Sequence, residues 1–246
     1  MRHLLIAFSA ATFLVSTAHA DNVNVAVAAN FTDAANEIAA AFAEATDHEA
    51  ILSFGATGQF YTQITQGAPF EVFLAADDER PTLAVNEGYG VAGTVFTYAI
   101  GQLVLYSIEP GKVTGAETLT AGEFKQIAIA NPETAPYGKA AVETMQALGV
   151  YDALQPKIVQ GQNIGQTYQF VETGNAEIGL VALGQVSQTD VGSRWIVPQE
   201  HYAPIKQDAV LLKSGENNPA ATAFIEFLKG DAASAIIEKY GYALDR

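Results

Sequence analysis

The chain has 246 residues and no cysteine, which excludes disulfides, thiolate metal sites and cysteine nucleophiles. Lysine and arginine number 12 against 27 aspartates and glutamates, and the net charge of −15 argues against nucleic acid or an anionic membrane as partner. It also works against long-range steering of an anion, so any anion site here must act through short-range hydrogen bonds.

Met1-Arg2-His3 is a short basic start, residues 4–16 are apolar, and Ala18-His19-Ala20 is a small-residue cleavage signal. Residues 1–20 therefore read as a signal peptide, with the mature chain starting near Asp21, exported and free in a periplasm. Without cysteine there is no lipid-modified tether, and no later run approaches the roughly 20 apolar residues that a membrane span requires.

Strand and helix signals then alternate. Val23, Val25 and Val27 alternate with smaller or polar residues, as in a strand, and Phe31, Ala34, Ala35, Ile38 and Phe42 recur at helical spacing. Residues 50–54 read as a second strand, Phe60 and Ile64 mark a short helix closed by Gly67, and 70–75 is a continuous apolar strand. This order predicts a parallel sheet with right-handed crossovers. The β-rich run 93–107 is too long for one ordinary strand and is expected to pass between two lobes.

A second unit follows the same rhythm. It has a strand at 126–130, a helix carrying Ala141, Val142, Met145 and Leu148 stopped by Gly149, and a strand at 157–159. A helix at 166–173 stopped by Gly174 and a buried strand at 177–183 complete it. In the tail, 209–212 reads as a strand. Asn218-Pro219 caps a helix ending at Gly230, and Asp231 caps the next, which Gly241 closes. The fold class expected is α/β with two lobes, each a mainly parallel sheet flanked by helices. Lobe 1 takes residues 21–100 and 205–246, and lobe 2 takes 101–204.

Four places share one local arrangement. Asn30, Thr57, Tyr137 and Ile164 each sit where a helix starts, and glycine lies within two residues of the last three. A helix start leaves about four backbone N–H groups without intrahelical partners and carries partial positive charge. Such starts cradle an anion without lysine or arginine. Two fall in each half, so facing lobes bring all four to the cleft between them, the usual ligand position in such sheets. Ordinary helix caps share these features one at a time. Their paired distribution behind an export signal favours a site.

Other motifs are weaker. Gly88-Tyr89-Gly90-Val91-Ala92-Gly93 has dinucleotide-type spacing but follows a helical stretch and precedes a strand, the reverse of what that fingerprint requires. Asp77-Asp78-Glu79 reads as a cap or a solvated end before it reads as a metal site. After cleavage only His48 and His201 remain, and neither a G-x-S-x-G elbow nor a P-loop occurs, so an enzyme is not expected.

At these residues the chain resembles the periplasmic molybdate-binding proteins of ABC transporters, from about Val23 to Leu244. The resemblance rests on Val27-Ala28-Ala29-Asn30-Phe31-Thr32, Ser53-Phe54-Gly55-Ala56-Thr57-Gly58 and the stretch from Gly67 to Asp77. Asn131-Pro132 through Leu148-Gly149, Phe227-Leu228-Lys229-Gly230 and Lys239-Tyr240-Gly241-Tyr242 add to it. It implies a two-lobed periplasmic-binding-protein (venus-flytrap) architecture, no catalysis, no cofactor and no resident metal. The ligand implied is molybdate, and tungstate with it, handed to a membrane permease by a monomeric receptor. Carried onto this chain, the donors are the amide of Asn30, the hydroxyl and amide of Thr57, and the amides of Tyr137 and Ile164. Some relatives add a tyrosine hydroxyl where Ala182 stands here, so Tyr137, Asn30 or water must replace it, or the site makes one hydrogen bond fewer. The alternatives are a receptor for sulfate, phosphate or a carboxylate, with Arg80, Lys139 and Arg194 as candidate cations, and an exported α/β hydrolase.

Overall fold

The computed structural model describes residues 21–245; the expected signal peptide lies outside the described residues. In chain order the first lobe contains β1 (Asn22–Ala28), α1 (Thr32–Thr46), β2 (Glu49–Gly55), α2 (Thr57–Thr65), β3 (Val72–Leu74), α3 (Glu79–Asn86) and β4 (Phe96–Gly101). The second contains β5 (Leu103–Ser107), α4 (Ala116–Ala121), β6 (Ile127–Ala130), α5 (Pro136–Ala147), α6 (Tyr151–Leu154) and β7 (Ile158–Gly161). It continues through α7 (Ile164–Glu172), β8 (Ile178–Ala182), α8 (Leu183–Val186) and β9 (Ser193–Ile196). The chain then returns to the first lobe as β10 (Ile205–Leu211), α9 (Pro219–Leu228) and α10 (Asp231–Lys239).

Each lobe is a five-stranded sheet, ordered β2-β1-β3-β10-β4 in one and β7-β6-β8-β5-β9 in the other. Strands β2, β1 and β3 run parallel, as do β7, β6 and β8. The two units therefore repeat one winding, in which the first strand lies between the second and the third. That winding puts helices on both faces, and the central strands are apolar on both sides as a result. Val25, Ala26 and Val27 are all fully buried, as are Ile127 and Ala128. In the first lobe Phe42 of α1 meets Phe224 and Phe227 edge-on, with ring centroids 5.2 and 5.6 Å apart, which ties α1 to α9.

The sheets are more mixed than the alternation of signals suggests. Strand β10 pairs antiparallel with both β3 and β4, and β5 pairs antiparallel with both β8 and β9. The cause is the crossing. The run 93–107 splits at Gln102, where β4 ends in one sheet and β5 begins in the other, and β10 brings the chain back alongside β4. Gly101 at this crossing has no side chain because the Tyr137 hydroxyl fills the place where a Cβ would lie. At the last helix Gly230 holds the cap position and Asp231 is already in the first turn, where its charge suits the helix dipole. Gly88 and Gly93 of the G-x-G-x-x-G match lie in left-handed turns between α3 and β4.

Candidate functional site

The repeated winding fixes where the two half-sites fall. In each unit the first two strands end at the carboxyl edge of the sheet, where ligands of such folds sit. Asn30 follows β1 and Thr57 follows β2; Ile164 follows β7, and Tyr137 follows β6 after the turn 131–135. All four residues line one small hollow between the lobes. The rest of its wall is Ala28, Ala29, Gly55, Ala56, Ala76, Ala135 and Pro136, so among the described residues no charged side chain lines it.

The chemistry of the wall comes from the residues that do not cap. Ala28, Ala56 and Ala135 stand at the cap positions of the turn at 29–31, of α2 and of α5, and none makes a side-chain cap hydrogen bond. Alanine is a poor cap, so first-turn N–H groups are left for another acceptor. Helix α7 does have a cap, but Asn163 accepts from the amide of Gln166 at 3.0 Å and not from that of Ile164.

Thr57 is buried, and its Oγ1 accepts the Ala76 amide at 3.0 Å. With a lone pair of that oxygen so engaged, its own proton is left to donate.

Asn30 shows a division of labour. Its carboxamide nitrogen donates to Gln207 Oε1 at 2.5 Å and to the Tyr242 hydroxyl at 3.2 Å, while its carbonyl accepts from that hydroxyl at 2.7 Å. The side chain and carbonyl are thus committed to the strand and tail behind the site, which fixes how the peptide around residue 30 lies. The Tyr137 hydroxyl is buried beside that of Tyr242, against Gly101. Burial pushes both phenols well above their ordinary pKa, so both stay protonated. Ala182 is buried in the core of the second lobe, outside the wall of the hollow.

Outside the hollow, and sharing Ala76, Ala135 and Pro136 with it, the cleft opens into a wider mouth. Arg80 and Lys139 line this mouth together with Asp77, Asp78, Glu79, Glu133 and Glu143. Arg80 forms a close ion pair with Asp77, whose carboxyl is held above its usual range chiefly by burial, with Arg80 opposing the shift. Arg194 lies elsewhere, bonded to the carbonyl of Val186. Gln207 and Tyr242 were not visible as site residues in the sequence. Both act across very long separations, and no local spacing marks them.

The profile of the bacterial extracellular solute-binding proteins matches residues 23–243. The molybdate-binding protein ModA of Rhodobacter capsulatus is 54% identical over 232 residues, covering 94% of this chain and 92% of its own. ModA of Azotobacter vinelandii is 50% identical over 248 residues, covering 99% and 98%. Among solved structures, the periplasmic molybdate-binding protein of Azotobacter vinelandii superposes with a TM-score of 0.88 at 39% identity, covering 91% of this chain and all of the other.

Proposed function

The chain belongs to the bacterial extracellular solute-binding proteins, in their molybdate-binding branch, and on that premise we propose that its hollow is the molybdate site. It is a periplasmic transport receptor and not an enzyme, capturing molybdate for an ABC permease. The observation that carries the site assignment is the hollow itself, walled by uncapped helix starts from both lobes and, among the described residues, lined by no charged side chain.

The donors in this reading are the amides of Asn30, Thr57, Tyr137 and Ile164 and the hydroxyl of Thr57. Hydrogen bonds to a charged acceptor contribute about 1.5–3 kcal/mol each. Association, closure and desolvation take back several kcal/mol. Five such donors give about 7.5–15 kcal/mol gross, and what remains after those costs suits affinity around the micromolar level, about −8 kcal/mol. With Ala182 buried away from the hollow, the shell makes one hydrogen bond fewer than in relatives that place a tyrosine there. The moving units are residues 21–100 with 205–246 and residues 101–204, a division supported by the strands of each sheet. Residues 1–20 are the cleaved export signal, and the receptor works as a monomer.

Selectivity follows from donors without acceptors. A protonated oxyanion such as hydrogen phosphate brings an O–H that needs an acceptor, and the Thr57 oxygen, one lone pair already on the Ala76 amide, can accept it only by turning its own proton away from the anion. Leaving that group unpaired costs about 1–3 kcal/mol. Sulfate, fully deprotonated but smaller, makes poorer contact in the same hollow. Tungstate, nearly the size of molybdate, is accepted. A thermal-shift panel over the four anions tests the reading, because a ligand bound only by the folded state raises the melting temperature. Molybdate and tungstate are expected to raise it and phosphate to leave it flat; a flat response to all four would overturn the oxyanion site.

A further inference from the structure

Next to the hollow, two backbone groups that face each other across the cleft are bonded to one another and to nothing between them. The amide of Gly58, in the first turn of α2, donates to the carbonyl of Thr134 on the opposite lobe at 2.9 Å. A Cβ at position 58 would lie 3.1 Å from the Thr134 Cα and 3.2 Å from its carbonyl oxygen. Those neighbours are backbone, which gives way less easily than a flexible side chain, so glycine permits an approach that another residue would hold off.

Arg80 reaches the same spot from α3. Its Nη2 lies 3.1 Å from the place of that Cβ and 3.4 Å from the carbonyl of Glu133. The arginine is held in position by Asp77, which pairs with its guanidinium and accepts its backbone amide at 3.0 Å. The receiving turn is equally fixed, since the Asn131 side chain accepts from the Glu133 amide and its carbonyl from the Ala135 amide, both at 2.9 Å. Gly58 adjoins Thr57, and the turn carrying Thr134 leads directly into Tyr137. The contact therefore closes beside one candidate anion donor from each lobe.

We propose that the Gly58–Thr134 bond, with Arg80 on Glu133 as its second arm, is the latch that holds the lobes shut over the anion. It touches no ligand atom in this reading, which rests on the hollow being the oxyanion site. Both contacts exist only when the lobes meet, and in the open form their groups return to water. Weakening them lowers the closed fraction and with it the apparent affinity. The effect belongs to dissociation, because the anion leaves only after the lobes part.

The test is rapid-mixing kinetics with sodium molybdate on the mature chain, comparing wild type, Gly58→Ala and Arg80→Lys. Gly58→Ala is expected to raise the dissociation rate about five- to tenfold, the worth of one lost hydrogen bond, with association within about twofold. Arg80→Lys keeps the charge beside Asp77 but loses the planar fork, and is expected to raise dissociation about threefold. The melting temperature of Gly58→Ala without molybdate should not fall, since alanine is the better helix former. An unchanged dissociation rate in Gly58→Ala would overturn the latch, as would a melting temperature lowered equally with and without molybdate. A wild type that fails to bind molybdate would instead sink the oxyanion reading. The latch would then be judged by small-angle scattering of the ligand-free chains, where Gly58→Ala must show the larger radius of gyration and an equal radius rejects it.

Discussion

The hollow and the mouth of the cleft share three residues, yet they are built on opposite principles. The mouth is crowded with full charges of both signs, acids predominating, while the described residues that line the hollow behind it are all uncharged. An acidic exterior would repel a dianion and a single buried lysine would bind one without discrimination, but partial charges fixed by helices do neither. If the hollow holds the anion as proposed, the contrast confines attraction to contact range, where shape and proton count are read as well as charge.

Removing the one side-chain donor should show this most sharply. Thr57→Ala is expected to weaken molybdate binding about 10- to 100-fold, the range of one charge-assisted hydrogen bond, as read by titration calorimetry. Unchanged affinity would take Thr57 out of the site. A smaller loss, about three- to tenfold, is expected for Tyr242→Phe, which keeps the edge-on packing against Phe31 but releases the Asn30 carbonyl. Equal affinity in that variant would mean that the peptide of Asn30 needs no support from behind.

The mouth answers to a different measurement. Raising ionic strength screens repulsion between an acidic protein and a dianion, so molybdate association should speed up by about two- to threefold while dissociation stays constant. A rate that falls with salt would show that the mouth attracts.

Asp208 should give the smallest effect. It is buried, accepts from the Thr97 hydroxyl at 2.7 Å, and burial holds its carboxyl above the usual range. A carboxyl whose pKa is raised by folding favours the folded state when protonated and loses that advantage as pH rises through its folded value. Asp208→Asn is therefore expected to leave affinity intact and raise the melting temperature by a few degrees at neutral pH. The gain should vanish as the pH falls through the folded pKa, above the ordinary value of 3.8. A loss of affinity would show that charge near the mouth serves the ligand.

The parallel units and their helix starts were legible because each is a local pattern. Val23, Val25 and Val27 announce a strand, Phe31, Ile38 and Phe42 a helix, and the small residues between them announce the turn. From there the two halves of the hollow follow once the strand ends face each other. What was hidden lies in contacts across long separations. Nothing near Asn30 reveals that its carboxamide is spoken for by Gln207 and Tyr242, which are 177 and 212 positions away. Nor does the text of residues 205–211 show that this strand runs against β3 and β4, since direction in a sheet is set by the path of the returning chain. The alanines at the cap positions were a signal that went unused: a helix start with no capping side chain is a start reserved for something else.

The place of β10 has a consequence for how the molecule is made. It lies inside the first sheet, between β3 and β4, although it is the last of the described strands to leave the ribosome. Lobe 2 has all of its strands in hand by residue 196, whereas the sheet begun at residue 22 stays split until 205–211 arrive to zip it. Nascent chains cut short of that strand should yield a second lobe already assembled and a first lobe still gaping, so the part translated earliest is the part finished last.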